Sequence, residues 1–319
     1  MKAKFVIASD HGVHLLQKED QQWSLVQSSL EDQRFTAVAC QGDAILAGAK
    51  DGLFLSPDQG QTWQKVSQSL KYPHIRALHF HPEKPNLAYA GTEPAAIFIS
   101  EDGGLRWQEC PHVAELRDKY DWSLPYSPNA GCVRGFAFQE QRGYAAVEQG
   151  GLLRSDDHGT SWELVRPLRG EDDQPWIHID VHSVLIHPTS FDHLYAPTGG
   201  GFYKTLDGGQ SWEQLHHDYC RAVWVEAERE EHIVLGPADG PDRNGRIEES
   251  SDGGTFWMRR MQAMASVWQE HMVAQFLEYD EHLFAVLSNG ALIAAPLDAL
   301  HWNTVLDSSQ AVRAISWLV

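Results

Sequence analysis

Ser56-Pro57-Asp58-Gln59-Gly60-Gln61-Thr62-Trp63 is the first of five copies of one signature, Ser/Thr-x-Asp-x-Gly-x-x-Trp; the others run from Ser100 to Trp107, Ser155 to Trp162, Thr205 to Trp212 and Ser250 to Trp257. The chemistry of the signature is that of a hairpin corner. Gly supplies the positive φ of a tight turn, and the Asp two residues after Ser/Thr accepts backbone N–H bonds. The Trp then carries a large ring into the next strand. Strand-like runs flank the first copy, Gly52-Leu-Phe-Leu-Ser56 before it and Trp63-Gln-Lys-Val66 after it. Self-similarity at a period of this size marks a solenoid or a propeller.

Two degenerate units complete the period, one with Gly12-Val-His-Leu-Leu16 and Trp23, the other with Gly290-Ala-Leu-Ile-Ala294 and Trp302. The tryptophans at 23, 63, 107, 162, 212, 257 and 302 lie 40 to 55 residues apart, a length that suits one four-stranded blade each. The expected fold is therefore all-β, a single seven-bladed β-propeller over residues 1–319. The blades fall near 1–27 plus 311–319, 34–67, 74–110, 132–166, 181–215, 220–260 and 270–306. The first unit starts at Phe5-Val-Ile-Ala8 without an innermost strand, whereas the chain ends on Ala311-Val-Arg-Ala-Ile-Ser-Trp317. That ending matches inner strands such as Ile75-Arg-Ala-Leu-His-Phe80 and Val133-Arg-Gly-Phe-Ala-Phe138. The C-terminal strand is expected to close the first blade and leave only short sheet edges.

The signature is that of the Asp-box, or BNR, repeat, and the resemblance covers the whole chain. Asp-boxes occur in sialidases, some glucan hydrolases, sortilin-type receptors and photosystem II assembly factors. The resemblance implies a propeller with the box between the third and fourth strand of a blade. Tyr89-Ala-Gly-Thr-Glu-Pro-Ala-Ala-Ile-Phe98, and Asp180-Val-His-Ser-Val184 followed by Tyr195-Ala-Pro-Thr198, resemble a group of bacterial single-propeller BNR proteins commonly labelled glycosyl hydrolase or exo-sialidase.

Composition narrows the partners. The chain carries 44 acidic and 25 basic residues, a formal charge of −19. Such a field repels nucleic acid and anionic membranes, so neither is expected as a partner. No apolar signal segment and no run of 18 apolar residues is present, and the four cysteines Cys40, Cys110, Cys132 and Cys220 show neither metal nor disulfide spacing. A cytoplasmic location with reduced thiols is expected. Oligomeric state is not legible.

Against the acidic background, aligned inner strands place Arg76, Arg134, His182, Arg221, His271 and Arg313 at one position, with Thr36 in the remaining blade. Such a position forms a basic ring at the channel mouth. Guanidinium groups there repel one another unless acids or an anionic ligand lie between them. The arginines either pair with carboxylates of neighbouring blades or hold a ligand; both readings stand at this point.

Long loops fall on the same face. Cys110–Cys132 carries Arg117, Tyr120, Trp122 and Tyr126; Arg169–Asp180 carries Glu171, Asp172, Asp173, Trp176, His178 and Asp180; Gly236–Arg246 carries Asp239, Asp242 and Arg246. Such loops on a rigid scaffold are where binding concentrates. The candidate ligand-binding residues are Arg76, Arg134, Arg221, Arg313, His178, Trp176, Asp180, Trp122 and Arg246. No cofactor is implied by local spacing; a metal on His178, His182, His217 or His271 is the open alternative, since ligands from separate blades leave no spacing to test.

Two functions follow. One is a binding propeller whose basic ring holds an anionic small molecule or an acidic peptide. The other is a hydrolase or lyase of the glycosidase or sialidase kind acting on an acidic sugar, with catalytic candidates His182, His271, Glu93, Glu270 and Tyr219. The sialidase Arg-Ile-Pro motif is absent near the N-terminus, where Gln33-Arg34-Phe35 is the nearest stretch. Glucan hydrolases of this kind use two propellers, and one is present.

Overall fold

A computed structural model describes residues 4–19, 22–165, 177–260 and 267–318. These residues form seven antiparallel four-stranded sheets arranged as the blades of a seven-bladed propeller. The inner strands are Val312–Leu318, Phe35–Gln41, Ile75–Phe80, Cys132–Gln139, Leu185–His187, Tyr219–Glu226 and Val273–Tyr279, of blades 1 to 7 in turn. Each touches the inner strand of the next blade, and the seventh touches the first, so the ring is closed. Closure of blade 1 comes from the C-terminal strand pairing antiparallel with Lys4–Ser9, with Ile315 opposite Ile7 and Trp317 opposite Phe5. Closure leaves each blade with two free edges, the inner strand at the channel and the outer strand at the rim.

The signature segments join the third to the fourth strand of blades 2 to 6. In the first, Ser56 Oγ donates to Asp58 Oδ1 at 2.9 Å and accepts from the Gly60 N–H at 2.8 Å, and Asp58 Oδ1 accepts from the Thr62 N–H at 2.8 Å. The Trp63 ring N–H returns to the Gly60 carbonyl at 3.1 Å. Blade 4 repeats this through Ser155, Asp157, Gly159, Ser161 and Trp162. Gly159 sits at φ +79°, where a side chain is strained, and a Cβ there would lie 2.5 Å from the Tyr89 ring.

The hydrophobic core lies between blades. Leu46, Leu53 and Leu55 of blade 2 pack on Ile75, Ala90 and Phe98 of blade 3, with Trp107 completing the layer. Trp107, Trp162, Trp212 and Trp302 are all nearly fully buried. Each ring removes roughly 200 Å² of mostly apolar surface from water, an upper estimate of about 5 kcal/mol. Because the strands alternate in direction, the signature turns occupy one face and the starts of the inner strands the other. The one α-helix of the described residues, Pro111–Lys119, departs from the irregular loop expected there. Proline at its first position is pre-set for a helix, and Val113 buries against blade 4 residues and Trp122. No described helix is long and apolar enough to cross a membrane.

Candidate functional site

The mouth opposite the signature turns is built on a repeated β-bulge. In blade 3 the ladder passes from Ile75↔Thr92 to Ala77↔Gly91, leaving Arg76 unpaired; in blade 4 it passes from Val133↔Val147 to Gly135↔Ala146 around Arg134. Arg313 stands alone between Val312↔Ser9 and Ala314↔Ala8, and Arg221 lies in a two-residue bulge of blade 6. Thr36 takes the place in blade 2. In blade 5 the Val181↔Thr198 bridge puts His182 there. A bulge kinks the strand and re-aims the extra side chain, so one irregularity repeated around the ring gathers these residues at one mouth. In blade 7 the bulge residue is Ala274, which corrects the expectation for His271. His271 lies three residues earlier, stacked on Trp268 at 5.2 Å, and burial lowers its pKa.

The ring carries its own acids. Arg76 Nη1 is 3.3 Å from Glu93 Oε2 and Arg134 Nη1 is 3.2 Å from Glu148 Oε2. Arg313 grips Asp10 through Nε at 3.0 Å and Nη2 at 2.6 Å, and its Nη1 donates to the Ser288 carbonyl at 3.0 Å. In these three blades the acid follows directly the second-strand residue (Thr92, Val147, Ser9) that pairs just before the bulge. Blade 6 has no acid at that place, and Arg221 reaches Asp242 at 2.8 Å and the Tyr219 hydroxyl at 3.2 Å. Of the two sequence readings of the arginines, carboxylate pairing therefore describes all four, within their own blades. Arg313 has all three nitrogens engaged. Arg76 and Arg134 each have one charged partner among the described residues and remain 23% exposed, with N–H donors to spare.

The acids are themselves held in place. Glu93 accepts from Ser127 Oγ at 3.0 Å and Asn129 Nδ2 at 3.1 Å, and Glu148 Oε1 accepts from the Tyr126 hydroxyl at 2.7 Å. Burial works to raise the Glu93 pKa, but these hydrogen bonds and the Arg76 charge outweigh it and hold it below 4.5. Burial likewise opposes the charge of Arg134, and Glu148 outweighs it, so the guanidinium stays charged.

Next to Arg134, His182 is almost wholly buried. Its Nδ1–H donates to the Cys220 carbonyl at 2.7 Å, while Nε2 lies 3.3 Å from Asp180 Oδ1 and 3.3 Å from the Tyr219 hydroxyl. Burial raises the Tyr219 pKa. It also raises that of Asp180, but His182 reverses the balance and leaves Asp180 below its ordinary value. His178 Nδ1 accepts from the Asp180 N–H at 3.1 Å, and burial lowers its pKa.

Several other candidates take different roles. Arg246, 6% exposed, is engaged by Glu248 at 2.6 Å, by Asp239 at 3.4 Å and by Asp218, so it braces blade 6 and has no nitrogen for a ligand. Burial raises the Glu248 pKa, but bonds from His216 and Arg246 overcome this and bring it to about 2. His216 faces Glu248 at 3.0 Å, whereas His217 is exposed. Trp122 is 3% exposed in the core between blades 3 and 4 and is not a binding surface. Glu270 is exposed at the rim, and Trp176, with Glu171, Asp172 and Asp173, lies outside the described residues. The partners that sequence reading passed over are Asp10 and the pairings of Glu148 with Tyr126 and of Arg221 with Asp242. A visible signal was the acid closing each second strand, in Ser9-Asp10, Thr92-Glu93 and Val147-Glu148.

No protein-family model matches the chain. A stretch of 63 residues, 20% of this chain, is 35% identical to Vacuolar protein sorting/targeting protein 10 of Schizosaccharomyces japonicus, of which it spans only 4%. Among solved structures, YCF48 bound to D1 peptide superposes with a TM-score of 0.60 at 17% identity, over 89% of this chain and 85% of that one. YCF48 from Cyanidioschyzon merolae gives 0.62 at 15% identity, over 93% and 96%. The GH74 xyloglucanase from Xanthomonas campestris gives 0.69 at 15% identity, and this chain covers only 52% of its length. What these likenesses establish is the fold, a seven-bladed β-propeller of the kind found in both YCF48 and GH74 enzymes.

Proposed function

We propose that the protein is a binding propeller that takes a carboxylate, carried by an acidic peptide segment or a small molecule, on Arg76 and Arg134 at the channel mouth. The observation that carries this reading is the uneven commitment of the bulge arginines. Arg313 has all three nitrogens engaged by Asp10 and Ser288, and Arg221 has two engaged, by Asp242 and Tyr219, whereas Arg76 and Arg134 each make one charge contact through a single nitrogen and remain 23% exposed. Neighbouring guanidiniums on a rigid rim give charge-assisted, bidentate hydrogen bonds to a carboxylate. YCF48, of the same fold, has been solved with a peptide bound, which makes a peptide the first ligand to try.

The hydrolase reading rests on Tyr126 touching Glu148 and on Glu148 and Asp180 offering oxygens within 4.8 Å of each other, close to the spacing of a retaining glycosidase. The acids with resolved shifts do not favour it. A glycosidase needs one carboxylic acid kept protonated near neutrality, and Glu93, Asp180, Glu248 and Asp10 are all held below their ordinary values. Crystals grown with an acidic peptide, and separately with simple dicarboxylates, test the binding reading. A carboxylate seated on Arg76 and Arg134 is the expected result; an empty mouth at saturating ligand contradicts it.

A further inference from the structure

We infer that Glu148, Asp180 and His182 form a binding site for a divalent transition-metal ion of the Zn2+ type. One oxygen of Glu148, one oxygen of Asp180 and one ring nitrogen of His182 lie within 4.8 Å of one another, on blades 4 and 5 where they meet at the mouth. A carbonyl oxygen can only accept, so the 2.7 Å contact with Cys220 fixes the proton of neutral His182 on Nδ1. The Nε2 lone pair then faces the cluster, where it accepts from the Tyr219 hydroxyl at 3.3 Å until a metal displaces that bond, and a carbonyl behind the imidazole is the usual support for a metal-binding histidine.

Asp180 Oδ1 lies 3.3 Å from that nitrogen, a contact between two lone pairs that a shared cation relieves. The same 3.3 Å is the ligand-to-ligand edge of a tetrahedron with bonds of about 2.0 Å. Both Glu148 Oε2 and Asp180 Oδ1 are buried without a hydrogen-bond partner, and Glu148 as a whole is 7% exposed. Tyr126 holds the other Glu148 oxygen at 2.7 Å and so orients the carboxylate. One imidazole and two carboxylates suit Zn2+, with water in the fourth position. His178 stays outside the set, because its Nδ1 accepts from the Asp180 backbone.

Besides the Tyr219 hydroxyl on His182, Arg134 is the main competitor. Its guanidinium is 3.2 Å from Glu148 Oε2, the oxygen the metal would take, so a bound ion draws Glu148 away from Arg134. The metal site stands apart from the anion-binding reading, because Zn2+ alone is the probe. Calorimetric titration of Zn2+ into the chelator-stripped full chain near neutral pH is the test, with melting curves without metal confirming that each variant folds. One-to-one uptake is expected. Asp180→Asn and Glu148→Gln, both isosteric, should each weaken it at least about tenfold, the loss that even an outer partner's removal brings. Arg134→Gln should tighten it, and His217→Ala, a change at an exposed histidine, should leave it unchanged. No saturable uptake, or uptake indifferent to both carboxylate variants, overturns the inference.

Discussion

Replacing Arg76 with Met separates a structural from a spectator role for the ring of ion pairs. The substitution keeps the apolar stem and removes the cation 3.3 Å from Glu93, whose side chain is only 6% exposed. Stranding a buried charge costs about 3–5 kcal/mol when its partner is fully buried. Here Arg76 is 23% exposed, and Ser127 and Asn129 remain as neutral donors to Glu93, so the expected loss falls to about 2–3 kcal/mol. At about 2 °C per kcal/mol for a chain of this size, the melting temperature should drop by about 4–6 °C. The loss should depend on pH in one direction. The Glu93 pKa is held below its ordinary 4.5, so the stability it contributes is fully present above pH 4.5 and fades as pH falls through the lowered value. Thermal melts near neutral pH and again well below pH 4.5 measure both effects. An Arg76→Met protein as stable as the parent near neutrality, or one with the same deficit in acid, refutes the reasoning.

Other perturbations reach the scaffold. Gly159→Ala should cost about 2–5 kcal/mol, from the positive φ plus a Cβ placed 2.5 Å from Tyr89, whereas Gly103→Ala, at φ +76° with open space around it, should cost about 1–2 kcal/mol; denaturant melts of the two compare turn strain with and without the clash. Arg246→Met leaves Glu248, Asp239 and Asp218 without their shared cation. It should destabilise by about 3–5 kcal/mol near neutrality and progressively less as pH falls from 4.5 toward the lowered Glu248 value of about 2, again read from melts. Deleting residues 312–318 removes the inner strand of blade 1 and uncovers Phe5 and Ile7; size-exclusion chromatography should show aggregate in place of the parent's peak.

The fold was legible because its signals are local. A Ser/Thr, an Asp, a Gly and a Trp at fixed spacing encode a corner whose bonds close within eight residues, and its repetition sets the blade length. The closing strand was legible because Val312–Leu318 resembles the other inner strands. The site was less so, for reasons of register and parity. One bulge shifts a ladder by a residue, and that shift puts Ala274 rather than His271 at the ring position. The same one-residue parity separates His216, which faces Glu248, from His217, which faces solvent. Asp10 and Arg313 are 303 residues apart and meet only because the ring closes. Arg246 looked like a free base, yet Glu248 lies two residues on, on the same side of an extended chain, which is a signal that strand periodicity supplies. The helix at Pro111–Lys119 carries few apolar residues, and its proline start was the one local cue.

Calorimetric titration of an acidic peptide into the parent protein, Glu93→Gln and the Arg76→Gln, Arg134→Gln double variant tests the central claim most directly. Glu93→Gln removes the carboxylate that competes for Arg76, so binding should tighten by about tenfold, equivalent to about 1.4 kcal/mol. The double variant should lose binding while remaining folded in a melt. Equal affinity across all three proteins, or no affinity in any, contradicts an anion site at the mouth.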